Sequence, residues 1–416
     1  MPTDPMTMAI AVAGLGMVGL LVWPRLRRAR LWHATITPLA SIIGSGFLIL
    51  GPILTDRFGS YGIVAMVVLC AVGYAFGWAI RYNIARIGDD DGTKAGEGAP
   101  DDTAALRRVE RISSWALAFA YVISVTYYLN LFGSFFARIF PHPSDSLSRI
   151  ITTVIYGIIL AAGLTRGFSL LERVEQISVS LQLATITALL AALCVYGVQE
   201  YSDGTLHYSS AVIGGLPALQ LMFGFIITVQ GFETSRYLRR EYSAADRQHS
   251  MKMAQWISTA IYLVYAGLLA ISFESGSFTL KETAIIDMMA KISAVLGPLL
   301  ILAALAAQFS AAVADTGGSG GLVEELTEGR VSPKGAYVGL AVIGLGLTWS
   351  SSVFQIVSYA SRAFALYYAL QSGLAFLRAR HTHDGSGQNT LRLAGFAALA
   401  LLGLAAAVFG RSVEGG

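Results

Sequence analysis

Charge is scarce in this chain: Asp, Glu, Lys and Arg make up 13% of its 416 residues, about half the share in a soluble globular domain. A chain so poor in charge cannot cover a water-facing surface, and with 55% apolar residues and a mean hydropathy of +0.61 it reads as an all-α polytopic membrane protein. The net charge of +3 therefore has to be explained by topology before any partner is inferred from it, and no nucleic acid is implied. Cysteine is nearly absent. Cys70 and Cys194 both sit in apolar runs, which excludes a disulfide framework and a thiolate metal site. There are six histidines, and of these only His33 falls within a span, near its basic end. A serine nucleophile would lack a base within reach, so no enzyme reading stands. His381 and His383 share a polar loop and read as solvated. Asp89, Asp90 and Asp91 lack the alternating acidic spacing of a calcium loop. Gly14, Gly16 and Gly19 spell GxGxxG without the preceding strand a nucleotide site needs.

What the chain has in quantity is long apolar runs. About twelve are long enough to span a bilayer, at 6–23, 31–54, 61–80, 112–140, 150–165, 170–198, 213–238, 253–273, 292–323, 336–349, 353–377 and 391–410. The first is followed by Arg25, Arg27, Arg28 and Arg30, the reverse of a secretory signal, which carries its charge first. It reads as a retained helix with its N-terminus outside, or as a segment lying on the surface. With those arginines cytoplasmic, alternation places only Arg57, Arg138, Arg149, Lys281, Lys291 and Arg411 outside, and Arg362 inside a helix, of 29 Lys and Arg. That asymmetry is the positive-inside pattern. Both termini are then expected outside, in a bacterial cytoplasmic membrane.

One run is unsuited to a continuous helix. Residues 37–54, TPLASIIGSGFLILGPIL, carry Gly44-Ser45-Gly46 at their centre, and each glycine costs about 1 kcal/mol against alanine in a helix interior. The run reads either as a helix broken at midplane, as in many secondary transporters, or as a helix whose small residues admit a close neighbour. A counterpart occurs in 222–233, MFGFIITVQGFE, where Gly231 lies beside Gln230 and Glu233. Segments 31–199 and 213–379 then form two five-helix units, and an odd number of spans inverts the second. Each unit opens on a broken helix. One extra helix precedes them (6–23) and one follows (390–411).

Gly44-Ser45-Gly46-Phe47 and Gly231-Phe232-Glu233, with Arg240-Glu241 and Arg247 after it, resemble the two broken-helix motifs of the amino acid–polyamine–organocation (APC) superfamily. Its members share the 5+5 inverted-repeat fold of the bacterial leucine transporter. The resemblance implies that the amides around Ile43, Gly44, Ser45 and Gly46 receive a substrate carboxylate, which suits the free N–H groups at a helix start. It implies that Gln230, Gly231, Phe232 and Glu233 face the substrate's cationic group. It also places Tyr127, Tyr128 and Asn130 in the pocket wall, where a mid-helix Tyr pair can equally be packing. In sodium-coupled relatives the ion sits between the first and eighth helices. The matching positions are Ala40, Ile43, Ala306, Phe309 and Ser310, a hard-cation oxygen set if Phe309 lends its carbonyl. Gln182 falls where proton-coupled relatives carry a lysine, so sodium is favoured over the proton.

Ionisable side chains inside a span cost about 2.5–3.5 kcal/mol each on insertion scales. Glu233 adjoins the second break and reads as a site residue, an alternative proton acceptor or half of a structural pair. Arg362 needs a partner, and Glu233 is the candidate. Asp315 lines an inward path, relays a proton, or snorkels from a fraying helix end. The reading is a secondary-active transporter of a small amino-acid-like or zwitterionic solute, working by alternating access with no cofactor beyond a coupling Na+ or H+. An inorganic-cation transporter or channel on the same fold, or a non-transporting sensor, is the alternative. The lipid bilayer and a small molecule are the only partners implied; substrate identity and oligomeric state are not legible.

Overall fold

The computed structural model describes residues 5–44, 46–87, 103–165, 171–238, 241–381 and 387–415. Ser45, Asp89 to Asp91, Arg240 and His383 lie outside the described residues. In chain order the helices are α1 (Pro5–Val22), α2 (Pro24–Arg27), α3 (Arg30–Ile43), α4 (Gly46–Phe58), α5 (Gly62–Ile87), α6 (Ala104–Ala137), α7 (Asp145–Thr165), α8 (Leu171–Asp203), α9 (Gly215–Phe223), α10 (Ala244–Ser272), α11 (Ala284–Ala290), α12 (Leu296–Leu326), α13 (Pro333–Ser350), α14 (Val353–His381) and α15 (Gly387–Phe409). Two short 3-10 segments, Ile226–Val229 and Phe232–Tyr237, follow α9. The protein is an all-α polytopic membrane protein. Eight stretches among the described residues are long and apolar enough to cross a membrane unaided. The other expected passages are the two broken ones, glycine-rich α13, and α14. The last of these buries most of its length, including Gln371, Ser372 and Arg378, so its polar residues meet protein instead of lipid.

Polar residues mark where helices start. Thr103 accepts from Leu106 N at 3.4 Å before α6, Ser243 from Asp246 N at 3.2 Å before α10, and Ser332 from Gly335 N at 3.3 Å, with Pro333 next, before α13. Each cap satisfies one of the N–H groups a helix start leaves open. At the core, α6 lies against α12 and α14, and Tyr121, Tyr127, Tyr128 and Phe135 on α6 are buried.

Both breaks are present. Helix α3 stops at Ile43, Gly44 departs from helical geometry (φ −53°, ψ −87°), and α4 starts at Gly46. On the other side the helix ends at Phe223, and Gly231 holds φ +117°, a region open to glycine at no steric cost. The two breaks touch. A Cβ on Gly46 would collide with Thr228, and one on Gly231 with Ser41 and the Ile42 amide. The Tyr262 hydroxyl of α10 lies 2.6 Å from Ile42 O and 2.8 Å from Thr228 O, sharing its one proton between a carbonyl from each break.

The ends of the bundle differ. At the end rich in Lys and Arg, Glu110 of α6 pairs with Arg236 and lies 3.7 Å from Arg378 of α14. Arg236 also donates to Gln371, whose amide donates to Ser113 at 2.7 Å and whose oxygen accepts from Asn83 at 2.9 Å. Arg247 donates to Arg236 O at 3.1 Å. At the opposite end Arg138 pairs with Asp287 and Ser352 donates to Glu414, beside main-chain ties such as Ser60 N to Ser209 O at 2.9 Å and Arg411 N to Gln220 O at 3.0 Å.

One expected pairing is corrected. Arg362 does not meet Glu233: its Nε donates to Ala407 O of α15 at 2.7 Å, while Glu233 is engaged by Gly231 and Tyr368. A carbonyl near the end of α15 satisfies the guanidinium without bringing a charge to the centre.

The glycine contact generates a test. Gly231→Ala forces a side chain into a left-handed backbone and into Ser41, so the purified protein should lose about 1–3 kcal/mol, read as a lowered midpoint of thermal unfolding in detergent. Gly157, with open space around its missing Cβ, should accept alanine with no such loss.

Candidate functional site

Ionisable, amide and hydroxyl groups converge beside the first break. Ser178 and Gln182 sit four apart on α8 and so share a face. Ala307, Ser310, Ala311 and Ala314 repeat at i, i+3, i+4 and i+7 along α12, which makes a small-residue stripe. These two faces and the underside of α3, with Ala40 and Ser41, line a narrow space of about 40 Å³ that Asp315 also lines. Among the described residues no Lys, Arg or His lines it. Asp315 is 7% exposed, and the Ser124 hydroxyl of α6 donates to its carboxylate. Gln182 Nε2 reaches Gly44 O at 3.5 Å, so a neutral amide rather than an ammonium meets the carbonyl end of α3.

A second, smaller space of about 20 Å³ adjoins the break on the α4 side, lined by Ile43, Gly44, Phe47 and Leu48 opposite Thr185 and Leu300. Gln182 lines both spaces. The larger space borders the last turn of α3, and the smaller one borders the break and the first turn of α4.

The five expected ion ligands do not all gather. Ala40 and Ser310 line the larger space. Ile43 lines the smaller one. Ala306 O already accepts from Ser178 Oγ at 3.2 Å, and the Phe309 ring is half-buried among apolar side chains. Gln182 and Asp315, expected as coupling residues, share the space with Ala40 and Ser310.

Around the second break, Glu233 is 1% exposed. Its Oε2 accepts from Gly231 N at 2.9 Å and from the Tyr368 hydroxyl of α14 at 2.8 Å. Its Oε1 is buried without a hydrogen bond. Tyr368 is held between two rings, 5.1 Å from Phe76 and 5.2 Å from Phe232. Phe232 is therefore a packing partner for Tyr368. Gln230 Nε2 donates to the Tyr128 hydroxyl at 3.3 Å, which brings two expected pocket residues together. Tyr127 is buried with its ring 5.3 Å from that of Tyr128. Asn130 points elsewhere: its Nδ2 donates to Thr348 of α13 at 2.8 Å, because two residues along a helix turn a side chain to the far face.

Tyr262, Tyr368, Ser124 and Ser178 were not singled out from the sequence. Ser178 was within reach of it, being one helical turn before Gln182; the partners of the other three depend on which helices meet.

Comparison with known proteins adds two findings. The family described as APC superfamily transporter matches residues 24–410. An uncharacterized protein of Aquifex aeolicus (strain VF5) is 40% identical over 392 residues, covering 94% of this chain and 93% of its own.

The Glu233 contacts are testable by a double-mutant cycle. Tyr368→Phe keeps the ring stack and removes only the donor, so it should cost about 1–3 kcal/mol in unfolding free energy. Combined with Glu233→Gln, the two changes should be non-additive by about 0.5–3 kcal/mol. Strict additivity in thermal unfolding would show that the two side chains do not act on one another.

Proposed function

Because the chain belongs to the APC superfamily of transporters, we propose that it is a secondary-active carrier of a small amino-acid-like, zwitterionic solute, driven by a coupled cation. Membership itself makes it a membrane transporter and not an enzyme. The observation that carries the finer reading is the pair of adjoining spaces at the first break, one lined by Ala40, Ser41, Ser310 and Asp315 and the other by Ile43, Gly44 and Phe47, with Gln182 on both. A carboxylate suits the amide end at Gly46. An ammonium suits the carbonyl side and the unpaired oxygen of Glu233.

In this reading segments 31–199 and 213–379 are the two repeats, and the broken helices rock as part of a bundle around a fixed site. The basic end of the bundle is the cytoplasmic one, with both termini outside. Na+ is the favoured coupling ion, held between α3 and α12 with Ala40 and Ser310 among its oxygens. Ser178, whose hydroxyl faces Ala306 O, supplies an oxygen that the Phe309 side chain cannot. Proton coupling is the second reading. It is favoured by Asp315, a buried carboxylate that lines the same space with only a hydroxyl as its described hydrogen-bond partner.

The test is ligand-dependent thermal stabilisation of the purified protein against a small-solute library in sodium, potassium and choline salts. A ligand present at a hundred times its dissociation constant should add about 2.7 kcal/mol. An amino acid that stabilises only with sodium, and no longer does so in Ser310→Ala, is the expected result. A sodium-independent hit that varies with pH and is lost in Asp315→Asn moves the coupling to the proton. Stabilisation by potassium or a divalent metal, with none by any amino acid, overturns the zwitterion reading.

A further inference from the structure

Helix α1 and its elbow take no part in the site. Helix α1 buries only Met6 and Ile10, and it meets the bundle along α8, where Gly14 lies against Ala184 and Ala188. Between α1, α3 and α8, toward the basic end, runs a groove of about 450 Å³. Its wall is apolar, with Val18 and Val22 from α1, Ile36 from α3, and Ile177 and Leu181 from α8. Val18, Val22 and Ile177 are 42%, 58% and 69% exposed. The span of α8 that lines it, from Ile177 to Ala184, is about 10 Å long at 1.5 Å per residue.

The mouth of the groove is cationic. Arg27 and His33 line it, and the His33 ring donates to the Arg27 carbonyl at 2.6 Å, tying the elbow to α3. Arg25 lies over the Trp23 ring at 5.8 Å, and Arg28 follows Arg27 directly. No Asp or Glu occurs anywhere from residue 5 to residue 55. Arg30, which points the other way, is the one arginine of the four that reaches a carboxylate among the described residues, Asp246 at 3.5 Å. The positive-inside rule accounts for cations at this depth, but it does not require an apolar trough beneath them.

We propose that this groove binds an anionic phospholipid from the leaflet on the basic side, with one acyl chain between α1 and α8 and its phosphate at Arg27 and Arg28. The charge at the mouth selects an anionic headgroup, and the apolar wall selects an acyl chain over a free phosphate, which could satisfy only the mouth. The site bears on α3. Trp32 and Ile36 face the groove while Thr37 and Ala40 face the space beside the first break, and Val179 of α8 lines both. A chain seated in the groove braces the half-helix that ends at the first break.

The binding claim does not rest on the transport reading, and its test needs no transport. The full-length protein, delipidated in detergent, is titrated with 1-palmitoyl-2-oleoyl phosphatidylglycerol or the matching phosphatidylcholine, and bound lipid is counted by native mass spectrometry. Hydrogen exchange of residues 30–43 is followed in the same samples. The wild type should retain phosphatidylglycerol over phosphatidylcholine and exchange more slowly over 30–43 with the former. Each arginine near an anionic surface is worth roughly fivefold, so Arg27→Gln with Arg28→Gln should cut the preference by more than tenfold. Val18→Trp keeps every charge and fills the groove, and it should remove the tightly held lipid and the exchange protection together. Equal retention of the two lipids by the wild type overturns the proposal. So does an undiminished preference in both variants, or displacement of the lipid by inorganic phosphate alone.

Discussion

Everything at the centre of this protein depends on satisfying unwound backbone inside a membrane. Two helices stop halfway, and each exposed amide or carbonyl would cost several kcal/mol against lipid. The chain meets this by closing the breaks on one another. Gly46 and Gly231 remove the side chains that would hold the segments apart, and one tyrosine proton from α10 is shared between Ile42 O and Thr228 O. Because each break completes the other, neither can move as an isolated hinge.

Polar chemistry is distributed unevenly along the bundle axis. The basic end carries a buried network in which Glu110 meets Arg236 and Arg378, and Gln371 joins Arg236 to Ser113 of α6 and Asn83 of α5. Replacing such a network with apolar residues is often neutral, but breaking it strands a buried charge at about 3–5 kcal/mol. It makes that end a specific closure. The middle is different: the described partners of Glu233 and Asp315 are hydroxyls and a backbone amide. The groove beneath α1 carries Arg27 and His33 at its mouth.

The breaks were legible because glycine has a cost inside a helix that lipid gives no reason to bear, so Gly44 to Gly46 and Gly231 announce themselves. The spans were legible because hydropathy and the Lys/Arg asymmetry are one-dimensional signals. Gln182 reaches the carbonyl of Gly44, and Gln230 reaches the Tyr128 hydroxyl. The expected pairing of Arg362 with Glu233 failed because it reasoned from cost alone. A charge at midplane needs a partner, but a backbone carbonyl on a neighbouring helix serves as well as a carboxylate. Asn130 was misplaced for a related reason, since closeness in sequence to Tyr128 does not survive a rotation of about 100° per residue.

What the sequence by itself determined is the list of membrane passages, the location of the two breaks and the family's fold, since each is written in local composition or in short motifs. Only the tertiary structure decided which groups meet: Tyr368 on Glu233, Ser124 on Asp315, Tyr262 across both breaks, and α1 held off α3 so that a groove remains. The physical reason is that each of these contacts joins residues far apart in the chain, through helix faces whose neighbours are fixed by packing. A side chain's polarity says that it needs a partner, and the packed bundle chooses which one.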